Sequence, residues 1–103
     1  MIKLTGKHHK VYEFDTFEVN SSITPRKAGI YVFLKDNDVL YIGQTENFYD
    51  RLYLKLEQHQ AWDCVSRNKV NRIAVHYFNG TEKQRIDVET DLRHNYSTPC
   101  NLQ

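Results

Sequence analysis

The sequence predicts a single small α/β domain of the α+β kind, and three observations carry that expectation. Two β-branched and aromatic runs, residues 29–34 and 39–43, flank a polar turn; a third apolar run occupies residues 71–78; and the pair Thr81 and Gln84 opens a helical stripe near the C-terminus. With 103 residues the chain can build one core but not two, which excludes a cofactor domain beside a substrate domain. Forty per cent hydrophobic and 26% charged residues is the composition of a chain that folds by itself. Fourteen Lys and Arg stand against 13 Asp and Glu, a net charge of +1, so a polyanion would have to be read by a local patch.

The elements follow in order. Residues 1–27 read as an N-terminal arm or edge strand, and residues 28–103 as the functional core. Within the arm, Lys3, Lys7, His8, His9 and Lys10 suggest a mobile basic segment, and residues 11–19 alternate partially, as an edge strand would. The runs at 29–34 and 39–43 read as a hairpin. A three-residue loop, Asp36-Asn37-Asp38, would set Tyr31 opposite Gly43 and Phe33 opposite Tyr41, putting both tyrosines on one face. Next, Asn47 can cap a helix whose apolar stripe is Phe48, Leu52, Leu56 and His59, with Arg51 and Lys55 beside it. Residues 60–69 lack a period and suggest a short helix or loop, with Trp62 as a core anchor. Residues 71–78 are apolar on both faces and predict a central strand, with His76 a hydrogen-bonded core histidine. The last helix would turn Arg85, Val88, Glu89, Leu92 and Tyr96 inward, and Pro99 ends it.

Glu89 is the residue on that stripe that needs a reason, because a buried carboxylate is costly unless paired or bound to a metal. The N-terminus lacks a secretory segment and the longest apolar run, residues 29–34, is far too short to span a membrane, so the expected location is cytoplasmic. In that compartment Cys64 and Cys100, without metal-site spacing, are expected as free thiols, with a single disulfide left open.

Gly29-Ile30-Tyr31, Tyr41-Ile42-Gly43 with ten residues from tyrosine to tyrosine, Arg51 ten further on, Glu89 in the C-terminal helix, and Pro99-Cys100-Asn101 occur in the order of the GIY-YIG nuclease superfamily, which the chain resembles over roughly residues 28–101. The resemblance implies a central three-stranded antiparallel sheet flanked by helices. It also implies cleavage of DNA phosphodiesters with Mg²⁺ or Mn²⁺, as in the N-terminal domain of the bacterial excision-repair incision subunit, homing and restriction endonucleases, and flap or junction nucleases. Carried over residue by residue, Glu89 is the metal ligand, Tyr31 and Tyr41 flank the attacking water, Arg51 holds the scissile phosphate, and Asn101 and the glycines Gly29 and Gly43 support the site.

Elementary chemistry is consistent with those roles. Mg²⁺ keeps several waters and needs only one or two carboxylates. Arginine offers a bidentate fork to phosphate that strengthens as charge builds. A tyrosine near pKa ~10 is a poor base unless cations favour its phenolate. Two departures bear on this: Gln44 stands where many relatives carry Lys, and Lys55 stands where others place His or Tyr, one helical turn from Arg51. His59 would be either a solvated helix residue or a phosphate contact. The competing readings are an ion pair between Glu89 and Arg51 without metal, with Arg85 and Arg93 as other partners for Glu89, and a loop-capping role for Asn101. At the level of function, the alternative to an endonuclease is a catalytically attenuated nucleic-acid or protein-binding module, for which Gln44 speaks. With no appended DNA reader, the expected enzyme is structure-selective or weakly specific, or is targeted by a partner protein or by homodimerisation. Met1 and the near-terminal Asn101 lead to the expectation of a stand-alone module rather than an excised domain.

Overall fold

The computed structural model describes residues 1–22 and 24–101, so the last two residues of the 28–103 core lie outside the described residues. Five antiparallel strands, β1 (Ile2–Thr5), β2 (Val11–Glu18), β3 (Gly29–Lys35), β4 (Asp38–Thr45) and β5 (Arg72–Tyr77), form one sheet in the order β1-β2-β5-β3-β4. The expected three strands are therefore extended by two. The N-terminal arm is the extension: β2 pairs with β5 on one side and β1 on the other, so it lies inside the sheet and β1 is the edge. What converts the arm from a cover into sheet is burial of Leu4, Tyr12 and Phe14 beside Ile30, Val32 and Ala74. Lys3 accordingly lies in a paired strand, while His8 and His9 lie in the exposed connection that follows.

The β3–β4 hairpin has the expected pairs, Tyr31 with Gly43 and Phe33 with Tyr41, but reaches them differently. Lys35 faces Asp38 across a two-residue turn at Asp36-Asn37, where Asp36 adopts φ 55°, and a bulge beyond Phe33 restores the register. Because β3 is covered on both faces it alternates between two cores. Tyr31 and Phe33 join Tyr41, Phe48, Leu52, Leu56, Val65, Ile73 and Val75 on one side; Ile30, Val32 and Leu34 join Phe14, Ile42, Ala74 and Leu92 on the other. β5 is central, as its two apolar faces required.

The segment from Asn47 departs most from its prediction. Asn47 does cap, its side-chain oxygen accepting from the Asp50 N–H at 3.2 Å. The helix then widens into a π-turn, Asp50–Leu54, closed by Lys55 N–H on the Asp50 carbonyl, and tightens into a 3₁₀ turn, Leu56–Gln58. Phe48, Leu52, Leu56 and His59 are all buried, so the expected inward stripe survives a widened turn followed by a tightened one. A short helix α1 (Trp62–Arg67) follows, with Trp62 packed against the core. Helix α2 (Glu82–Arg93) opens with both halves of the Thr81–Gln84 capping box and covers the opposite face. His76, half-buried, donates from Nδ1 to the Glu13 carbonyl at 2.9 Å and packs edge-on to Tyr12.

Cys64 and Cys100 are not free thiols: they form a disulfide that joins α1 to a C-terminal 3₁₀ turn, Pro99–Asn101. It closes a loop of sequence separation 36, which in the loop-entropy account stabilises the fold by roughly 3–4 kcal/mol. Cys100→Ser, or wild type under reductant, should therefore unfold in urea with ΔG lower by about that amount; identical midpoints with and without reductant would show that the bond does not form in solution.

Candidate active site

The hairpin places the two tyrosines, and a glycine makes the placement possible. Gly43 lies directly opposite Tyr31, and a Cβ there would come within 2.6 Å of the Tyr31 ring and hydroxyl and 2.8 Å of the Tyr41 ring. Only a residue without a side chain lets Tyr31 lie across β4 and stack with Tyr41, ring centroids 6.0 Å apart. Gly29 has a similar cause: a Cβ would sit 2.0 Å from the His76 carbonyl oxygen on β5. Asn101 fixes the same strand from its edge, its side chain accepting from Ile42 N–H at 2.8 Å and donating to Ile42 carbonyl at 3.0 Å. This buried pair of bonds replaces a missing neighbouring strand at the residue between Tyr41 and Gly43.

Tyr31 is fully buried, and its hydroxyl meets His59 Nε2 at 2.6 Å. The His59 Nδ1 accepts the Ala61 N–H at 2.9 Å, so the ring proton resides on Nε2 and His59 donates to Tyr31. His59 is thus neither a solvated helix residue nor a phosphate contact; at 3% exposure it lies beneath the tyrosines, edge-on to Tyr41 at 4.9 Å. Burial, then the charge of Arg51, holds its pKa down to about 3. Burial pushes the Tyr31 phenol far above its ordinary value, with Tyr41 adding and Arg51 opposing.

Tyr41 is raised too, first by burial, but it stands among charges: Glu89 raises it, whereas a hydrogen bond from Tyr31 and the cations Arg51 and Arg93 lower it. Its hydroxyl accepts from the Gln60 amide at 2.9 Å, and the oxygen of the same amide accepts from Arg51. Gln60 is a site residue that periodicity could not flag, since it sits in an irregular turn. Arg51 also borders a cleft of about 260 Å³ with Thr45, Glu46, Asn47, Asp50 and the exposed Lys55.

Helix α2 packs over β4 at the sheet edge, which brings Glu89 within electrostatic reach of Tyr41. Among its three candidate partners Glu89 pairs with Arg93, at 3.7 Å; Arg51 instead binds Gln60, and Arg85 turns to Gln44. The Glu89 side chain is 16% exposed, and burial raises its pKa against the smaller opposing effect of Arg93. Arg85 is itself buried, donating from Nε to Gln44 Oε1 at 2.9 Å and from Nη1 to the Gly80 carbonyl at 2.8 Å. Gln44 therefore serves as the acceptor for a buried guanidinium. Among the described residues no three His, Cys, Asp or Glu side chains converge; Glu89 is the carboxylate near Tyr41, and one or two carboxylates completed by waters are a donor set that suits Mg²⁺. Also among them, no helix is long and apolar enough to cross a membrane.

The family model of the GIY-YIG catalytic domain matches residues 27–101. Among solved structures, the N-terminal GIY-YIG endonuclease domain of UvrC from Thermotoga maritima bound to magnesium is 20% identical, with a TM-score of 0.63, covering 79% of this chain and 90% of that one. A tyrosine-to-phenylalanine mutant of the same domain, bound to its catalytic divalent cation, gives 20% identity and 0.63, and an asparagine-to-alanine mutant 19% and 0.64, each covering 80% of this chain and 90% of that one. At such identity the likeness shows the fold. No curated protein sequence matches the chain.

The buried imidazole carries a pH signature. Its folded pKa of about 3 lies below the unfolded value of 6.5, so the unfolded chain takes up the proton first as pH falls. The contribution of His59 to stability is fully present above the unfolded value and drains as pH falls toward 3, by about 1.4 kcal/mol per pH unit. Urea unfolding of wild type and His59→Gln between pH 7 and 4 should converge with that relative slope; parallel curves would show an imidazole that titrates as in water.

Proposed function

Because the chain belongs to the GIY-YIG family, we propose that it is a divalent-metal-dependent DNA endonuclease whose reaction centre is the group Tyr31, Tyr41, Arg51 and Glu89. The observation that carries this reading is the stacked pair of tyrosines whose outer member, Tyr41, is linked through Gln60 to the Arg51 guanidinium, with Glu89 of α2 near enough to raise the Tyr41 phenol. A structural ion pair would have joined Glu89 to Arg51; instead each keeps a separate partner and remains open to a ligand of opposite charge.

Glu89 would hold Mg²⁺ or Mn²⁺. Its carboxylate is partly desolvated, and a nearby divalent charge would offset the burial that weakens its acidity. When bound, such an ion lowers the pKa of water and screens the charge that builds on phosphorus. Arg51 donates to Gln60 and also stands against the Tyr31 hydroxyl, and would offer N–H groups of its five-donor fork to a phosphate oxygen, most strongly in the transition state. Lys55, on the wall of the same cleft, adds positive charge for the backbone. Tyr31, with its hydroxyl oxygen already accepting from His59, keeps its own proton and points it as a hydrogen bond at Tyr41; the Tyr41 oxygen, held by that donor and Gln60 and flanked by two cations, would first lose its proton to solvent and would then be the better placed of the two to take one from the nucleophile. Asn101 holds β4 so that this alignment persists.

A net charge of +1 and the absence of an added reading element among the described residues favour structure-selective or weakly specific cutting, of the kind used in repair, recombination or mobile-element biology, with targeting by a partner or a second copy. The attenuated binding module rests on Gln44, whose side chain here meets Arg85 rather than either tyrosine.

Labelled plasmid, duplex, single-strand, flap and junction DNAs should be cut with Mg²⁺ or Mn²⁺ and not with EDTA. Glu89→Ala should lose at least ~10³ in rate. Its melting temperature should move only a few degrees, since an i,i+4 pair is worth ~0.5 kcal/mol. A folded wild type that binds these DNAs and cuts none of them would decide for the binding module.

A further inference from the structure

We propose that Gln60 is a positioning residue that holds the Arg51 guanidinium and the Tyr41 hydroxyl in fixed relation, and that adjacent His59 does the same for Tyr31. This rests on the endonuclease reading for its consequence and on geometry for its existence. Gln60 has one carboxamide and both of its ends are used: the oxygen accepts from Arg51 and the nitrogen donates to Tyr41 at 2.9 Å. An amide carries its acceptor and its donors on separate atoms, so it can accept from a cation and donate to a hydroxyl at the same time.

The turn that carries Gln60 is pinned on each side. His59 is buried, Trp62 N–H bonds to the His59 carbonyl at 2.9 Å, and Ala61 N–H bonds back to the His59 ring. Gln60 is the exposed tip of that turn, so its side chain extends from a rigid base into the mouth of the site. A π-turn and a 3₁₀ turn lead into it, and at its end His59 meets Tyr31 while Gln60 meets Arg51. Two neighbouring residues thereby serve the two tyrosines, one from below and one from the rim. Arg51 and Lys55 are the groups meant for phosphate, and an arginine free to point at solvent would have to be ordered at each encounter. Gln60 orders it beforehand and leaves its other donors available.

The test reads the clamp directly and its consequence separately. In wild type, NMR of the Arg51 guanidinium should show restricted rotation, with separate Nη resonances at low temperature. Gln60→Met, of similar shape without hydrogen bonds, should collapse them to an average; Gln60→Glu, which keeps the acceptor, should restore them. Single-turnover cleavage by Gln60→Met should fall about 10–100-fold, while DNA affinity in EDTA changes less than about threefold and the melting temperature is unmoved. On an Arg51→Ala background the same substitution should cost little more, since the partner is gone. Separate Nη resonances that persist in Gln60→Met, free rotation already in wild type, or full cleavage by Gln60→Met would each overturn the proposal. A wild type that cuts no DNA would instead sink the nuclease reading, and the NMR comparison would still decide the clamp.

Discussion

The site depends on one close approach, the Tyr31 ring lying over the bare backbone of Gly43. Strand pairing sets the two opposite each other, and the missing side chain lets the aromatic ring cross the strand and stack on Tyr41. Any Cβ at position 43 would drive the ring out by an ångström or more, taking its hydroxyl away from His59 and Tyr41 together. Period-two geometry makes the same demand upstream. The register has to place Tyr31 and Tyr41 on one face, and a slip by one residue would send one of them into the opposite core with Ile42 and Val32.

Burial then gives the two phenols different chemistry. Both are driven up by desolvation, but Tyr31 is enclosed by rings and receives a proton donor from below, whereas Tyr41 faces Arg51, Arg93 and Glu89. A fully enclosed phenol is a poor place to develop negative charge and a good place to relay a proton. The neutral His59 fits that arrangement: a protonated imidazole beside Arg51 would put two cations beneath the tyrosines, and the buried pocket excludes it.

Much of this was legible in the sequence, for identifiable reasons. The hairpin pairing followed from alternation and turn chemistry, although the turn is two residues with a bulge; the two errors in loop length cancel because a bulge adds back the residue that the shorter turn removes. The α2 boundary followed from its capping box. What stayed hidden depends on contacts made far along the chain. The arm reads as an edge because its alternation is partial, and only pairing with β5 on one side and β1 on the other makes β2 interior. Cys64 and Cys100 lie 36 residues apart with no pattern between them, and Gln60 has no periodicity to betray it because its turn follows a π-turn and a 3₁₀ turn in succession.

The segment that contains those irregular turns meets three demands at once. On a regular helix from Asn47, Phe48, Leu52, Leu56 and His59 would lie within about 80° of one another and would already form one inward stripe. Widening one turn and tightening the next are distortions of opposite sense that leave this stripe inward: Leu52 and Leu56 stay in the core, His59 reaches Tyr31, and Arg51 borders the surface cleft where a phosphate can find it. The segment gives up some regular hydrogen bonding to do this. The cost is contained because Lys55, Gln58 and His59 N–H groups each find a backbone carbonyl within the altered turns. The altered turns thus carry a buried imidazole and a half-buried Arg51 eight residues apart on the same side of the sheet.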